Sequence, residues 1–156
     1  MYLNHQQLET VVELAPLVSI DLFIVNAKNE VLVGYRNNRP AQGYWFVPGG
    51  RILKNETFDQ AFARISQNEL GFAMQFAKAE PLGAYQHFYS DSRFGEHLCT
   101  HYVALGYLIK VDNSDDFTLG DSQHADLKWI PLTALEKDPG VHAMTKAYLP
   151  AVEALL

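Results

Sequence analysis

Apolar positions fall into short blocks whose period shifts from helical to strand-like and back, with polar residues at each change. Residues 4–14, NHQQLETVVEL, predict a short amphipathic helix with Leu8, Val11, Val12 and Leu14 on one side. Leu17 to Val25 is a run rich in β-branched residues that predicts a strand, with Asp21 in its middle. A turn over 26–30 and a second strand from Val31 to Tyr35 complete a hairpin, which Arg36 closes. A loop from Asn37 to Gly43, containing Pro40, leads to a strand from Tyr44 that runs into Gly49 and Gly50.

The longest helical pattern follows. Thr57 offers an N-terminal cap, and Phe58, Ala61, Phe62 and Ile65 recur at the spacing of one buried face. Glu69 continues that stripe, and Gly71 ends the helix. After a turn near 79–81, Leu82 to Tyr89 reads as a strand carrying His87, and 90–96 as a polar loop. A long strand is expected from His97 to Val111, with alternation at Tyr102, Ala104, Gly106 and Leu108. A polar loop, 112–122, precedes Gln123 and His124, and 125–130 is a further strand. A helical turn at 132–136, a break at Pro139-Gly140 and a closing helix over 141–155, kinked at Pro150, end the chain. Helix, strands, long helix, strands and helix in this order predict an α/β fold, an α/β/α sandwich around a mixed β-sheet.

At 156 residues the chain suits one compact domain, 1–156, with no repeat or low-complexity linker. With 48% hydrophobic and 19% charged residues the composition is globular and argues against disorder. A net charge of -6 disfavours nonspecific nucleic-acid binding, although a metal and a few arginines would still let the site hold a nucleotide. The one cysteine, Cys99, excludes an intramolecular disulfide and is expected as a small core residue. The start is polar and no apolar run approaches the roughly 20 residues of a membrane span, so a cytoplasmic setting is expected.

Candidate chemistry begins at Gly49-Gly50, where two residues without a Cβ let backbone approach a ligand closely. Glu69 on a buried stripe is costly unless a cation meets it. Asp21 either faces solvent or serves a site. Glu56 and Arg64 are placed to pair and brace the loop between them. Tyr44-Trp45-Phe46 serves either as core or as a stacking surface for a base. His101 is expected to point away from Tyr102's face, and His5, His97 and His142 to lie on the surface.

The spacing of Gly50, Glu56, Arg64 and Glu69-Leu70-Gly71-Phe72 resembles the signature of the Nudix hydrolases, which cleave nucleoside diphosphates linked to a further group. The resemblance implies their fold and a Mg²⁺ site at the loop–helix. Ile65 stands where that signature has the glutamate after arginine, and Asn68 replaces the first of its later glutamates. Metal binding would then need a ligand from elsewhere. Gln123 offers an amide oxygen acceptable to Mg²⁺, and His124, with an ordinary pKa of about 6.5, could take a proton from water. The other reading of this pair is a solvated loop end.

The segments 16–19, 38–51, 86–89, 100–103 and 123–124 are together similar to the GDP-mannose mannosyl hydrolase branch of that family. This resemblance implies that water attacks C1 of the sugar with inversion, releasing GDP and mannose, with GDP-glucose as a second candidate substrate. It implies Mg²⁺, with Mn²⁺ as a substitute, held by Gly49, Glu69 and Gln123, and His124 as general base. Asp21 would stabilise the cationic sugar, while Arg36, Arg51, His87 and Tyr102 would contact the diphosphate and help GDP leave. A homodimer is implied too. Two other readings stay open: a Nudix pyrophosphatase that attacks phosphorus in a nucleotide sugar, and a non-catalytic nucleotide-binding module.

Overall fold

The computed structural model describes residues 1–112 and 126–156. Helix α1 (His5–Leu14) opens with reciprocal bonds: Asn4 Oδ1 accepts from the Gln7 amide and Gln7 Oε1 from the Asn4 amide. Leu8 and Val12 are buried against Leu17. Leu14, expected on the same side, is 75% exposed, because six residues past Leu8 a helix has turned to its other face.

Strand β1 (Leu17–Val25) pairs through Val25 and Val31 with β2 (Glu30–Tyr35), forming the expected hairpin. Asn26 Oδ1 shapes its turn by accepting from the amides of Lys28 and Glu30. The single strand expected over 44–50 is instead two, β3 (Trp45–Phe46) and β4 (Gly49–Arg51). Pro48 separates them and has no N–H to continue a ladder. The chain changes partner there: β3 pairs with β2, and β4 with β1 along Ser19, Ile20 and Asp21.

The thirteen-residue helix α2 (Phe58–Leu70) has its ends where Thr57 and Gly71 mark them. Thr57 accepts from the Gln60 amide, and Gly71 adopts a left-handed φ of 87°. Ala61, Phe62 and Ile65 are buried as expected, but Phe58 is 48% exposed. It lies in the first turn at the rim, where its ring centroid is 5.8 Å from that of Phe76 of a 3-10 turn, Phe76–Lys78.

Strands β5 (Glu80–Tyr89) and β6 (Thr100–Lys110) pair antiparallel, and β6 runs parallel to β1 over the whole of β1. Strand β6 starts later than expected, and Cys99 just before it is exposed, not in the core. Strand β7 (Leu127–Pro131) joins β2, giving, among the described residues, a mixed sheet of seven strands with central order β3-β2-β1-β6-β5. The closing segment is α3 (Leu132–Leu135), α4 (Ala143–Lys146) and α5 (Leu149–Leu155). Pro150 falls in the first turn of α5, where its missing N–H removes no helical bond, so it starts a helix where a kink was expected.

Alternation along β1 builds both layers. Ile20, Leu22 and Ile24 pack with Ala61, Phe62 and Ile65 of α2. Phe23 and Val25 pack on the opposite face with Leu135, Tyr148 and Val152. Asp21 shares the parity of this second face. Among the described residues no helix is long and apolar enough to cross a membrane.

Candidate active site

A bidentate ion pair fastens the loop after β4 to α2. Arg64 Nε donates to Glu56 Oε2 at 2.7 Å, and Nη2 donates to Glu56 Oε1 at 2.9 Å and to the Arg51 carbonyl at 2.7 Å. Glu56 Oε1 also accepts the Leu53 amide at 2.7 Å. The Arg64 hydrogen bonds hold Glu56 below the usual carboxylate range. Gly50 is pressed onto the same helix: a Cβ there would lie 3.1 Å from Ile65 Cγ1. Ile65 therefore makes a packing contact at a position where the resemblance would have a carboxylate.

Beside this brace lies a cleft of about 990 Å³. The structure brings Asp21, Arg36, Gly49, Arg51, Glu69, His87 and Tyr102 together on its wall. Gln123 and His124 lie outside the described residues.

Asp21 is 6% exposed, and Tyr148 donates its hydroxyl to Asp21 Oδ2 at 2.6 Å. Burial pushes Asp21 up to about 6, against the opposing pull of the Tyr148 bond and of Arg36. The solvent-facing alternative for Asp21 is thus ruled out. Burial likewise raises Glu69 to about 7, again with Arg36 acting the other way. Arg36, just past β2, is anchored by an Nε bond to the Pro40 carbonyl at 2.9 Å. Its charge acts on Asp21, Glu69 and Tyr102 alike. Burial lowers Arg51 and raises Tyr102.

His87 is 4% exposed, and burial, reinforced by His142, lowers its pKa to about 4. It is a neutral imidazole near pH 7, and its Nε2 has no hydrogen-bond partner among the described residues. Toward a diphosphate it could offer a neutral N–H and no positive charge.

Three side chains of the site escaped the sequence reading. Arg39 and Arg93 line the cleft, and Arg39 also reaches Asp91 at 3.5 Å and Glu96 at 3.2 Å. Their signal was visible, since Arg39 lies inside segment 38–51 and Arg93 inside the polar loop 90–96. Tyr148 had none, because 127 positions separate it from Asp21. His142, expected at the surface, is half-buried: its ring lies 5.4 Å from Phe46 and 5.7 Å from Tyr89, and its Nδ1 accepts the Met144 amide. His101 stacks on Phe88 at 4.5 Å. His5 and His97 are exposed, each within 4 Å of Glu9.

Among the described residues no three His, Cys, Asp or Glu side chains gather as a metal cluster. Gly49 and Glu69 nevertheless both line the cleft, and a backbone carbonyl with a carboxylate is a hard oxygen donor set whose chemistry fits Mg²⁺. A divalent cation would also meet the buried carboxylate whose charge burial now disfavours.

The NUDIX domain family model matches residues 15–150. A curated relative, the low-salt glycan biosynthesis protein Agl8 of Haloferax volcanii, is 37% identical over 147 residues, covering 93% of this chain and 87% of that protein. An RNA pyrophosphohydrolase of Orientia tsutsugamushi is 30% identical over 70 residues, 45% of this chain and 43% of its own. Among solved structures, the MutT Nudix hydrolase from Burkholderia pseudomallei superposes with a TM-score of 0.70 at 27% identity, covering 88% of this chain and 98% of that one. The Nudix domain of Shewanella oneidensis NrtR complexed with ADP ribose gives 0.70 at 22% identity, covering 91% and 90%.

Proposed function

The chain belongs to the Nudix hydrolase family, and we propose that it hydrolyses GDP-mannose to GDP and free mannose by attack of water at sugar C1 with inversion. GDP-glucose is a second candidate substrate. One observation carries this reading. Among the described residues helix α2 lends the cleft a single carboxylate, Glu69, near Ile65 and Asn68, while a second carboxylate, Asp21, comes from the sheet. An acid set divided in this way suits a cation held by Glu69 and a cationic sugar facing Asp21. The glycan-biosynthesis name of the Haloferax relative agrees with a sugar-bearing substrate.

Arg36 and Arg51 supply fixed forks of donors for the diphosphate oxygens, and Tyr102 and His87 add neutral donors. The Asp21 carboxylate stabilises the positive charge that develops at C1 as the glycosidic C–O bond breaks. His124 accepts the proton of the attacking water. Bound Mg²⁺, with Mn²⁺ as a substitute, would add Lewis-acid stabilisation of the leaving diphosphate, held by the Gly49 carbonyl, Glu69 and Gln123. We further infer a homodimer working in the cytoplasm.

Product analysis tests the reading. GDP and mannose, formed only with Mg²⁺ or Mn²⁺, support it. GMP and mannose 1-phosphate would instead indicate a pyrophosphatase, and binding without turnover a nucleotide-binding module.

A further inference from the structure

We propose that Tyr148 is a positioning residue for Asp21, fixing the carboxylate through its hydroxyl from the far end of the chain. This rests on the sugar-facing role of Asp21 inferred above. Tyr148 is fully buried just before α5, and its hydroxyl donates to Oδ2 at 2.6 Å, a short charge-assisted bond. Its ring is clamped by Tyr85 at 4.4 Å and Phe23 at 6.3 Å.

The sheet is cut away on both sides to admit the pair. Asp21 has Gly106 as its register partner on β6 and Gly49 as its partner on β4. A side chain at Gly106 would collide with the Tyr148 ring, and one at Gly49 would lie 2.6 Å from Asp21 Oδ1. Oδ2 is therefore engaged by the tyrosine, while Oδ1 lies beside Gly49, which lines the cleft together with Asp21. A phenylalanine would fill the same space, so packing alone does not explain the hydroxyl. With one oxygen fixed, the other is held in one orientation for the reacting sugar.

Steady-state kinetics with GDP-mannose and Mg²⁺, on wild type, Tyr148→Phe, Asp21→Asn and the double variant, test this, with thermal unfolding of each. Tyr148→Phe should lower kcat by about 10–100-fold and shift KM less than about twofold. In the Asp21→Asn background the same change should cause no further loss. Should Tyr148→Phe melt below the assay temperature, site-specific 3-fluorotyrosine at 148 alters the hydroxyl bond while keeping the ring, and should change kcat only where Asp21 is intact. Equal losses in both backgrounds, or an unchanged kcat in a folded variant, would overturn the proposal alone. A wild type that releases no free mannose would overturn the functional reading and this proposal together.

Discussion

Gly49 and Asp21 face each other across the antiparallel pairing of β4 with β1, and a Cβ on Gly49 would sit 2.6 Å from both Asp21 Oδ1 and the Ile20 carbonyl oxygen. Contact, not an unusual backbone angle, excludes a side chain at this position. The carbonyl oxygen belongs to the central strand and cannot move away cheaply. Gly49→Ala should therefore destabilise the fold by about 1–3 kcal/mol and displace Asp21, with turnover falling accordingly. A melting temperature and activity equal to wild type would contradict this contact.

Asp21 should cost stability at neutral pH. Burial raises it from 3.8 to about 6, so between these values the folded protein binds the proton and the unfolded chain does not. The penalty is complete above the folded value and vanishes below the unfolded one. The difference of about two units corresponds to roughly 3 kcal/mol at most. Asp21→Asn should thus melt at a higher temperature than wild type at pH 7, with the gap closing as pH falls from about 6 towards 3.8, while turnover drops. A gap independent of pH would show that the ionised carboxylate is not what costs stability.

Local signals were the legible ones. The β-branched run from Leu17 to Val25, the Thr57 cap and the Gly71 stop mark their elements to the residue because each acts on its own backbone neighbours. The α/β fold followed from the order of helices and strands, whereas the grouping of Arg36, Arg51, Glu69 and Tyr102 on one cleft was implied only by the family resemblance. What stayed hidden depends on distant partners. Pro48 marks a change of strand partner that a continuous apolar run conceals. Leu14, Phe58 and Cys99 have apolar chemistry but lie at the ends of their elements, where they stay largely exposed among the described residues. Tyr148 and His142 acquire their surroundings only when the C-terminal helices close over β1 and β3.

The ion pair between Glu56 and Arg64 should set the stability of the loop. Its side chains are only 14% and 22% exposed, and removing the guanidinium leaves the Arg51 carbonyl and Glu56 without these partners. Arg64→Gln should lower the unfolding free energy by about 1–3 kcal/mol and reduce kcat/KM as Arg51 loses its anchor. Urea unfolding followed by kinetics checks both, and an unshifted midpoint would contradict the brace.

Glu69→Gln keeps the side-chain volume and removes the negative charge. Its fold should remain intact, while the Mg²⁺ concentration required for half-maximal rate rises about tenfold or more, the loss expected for a removed charged ligand. Isothermal titration with Mg²⁺ gives a readout apart from turnover. Wild-type metal affinity in the variant would remove Glu69 from the metal site.

Which bond breaks is the central question, and the division of acids between α2 and β1 bears on it directly. Glu69 is the one carboxylate that α2 brings to the cleft among the described residues, and Asp21 enters from β1. Hydrolysis of GDP-mannose in ¹⁸O-labelled water, with Mg²⁺ present, follows the oxygen of the attacking water. Attack at the sugar places the label at C1 of mannose with inverted configuration and none in GDP. Label on a phosphate, with GMP and mannose 1-phosphate as products, would contradict it.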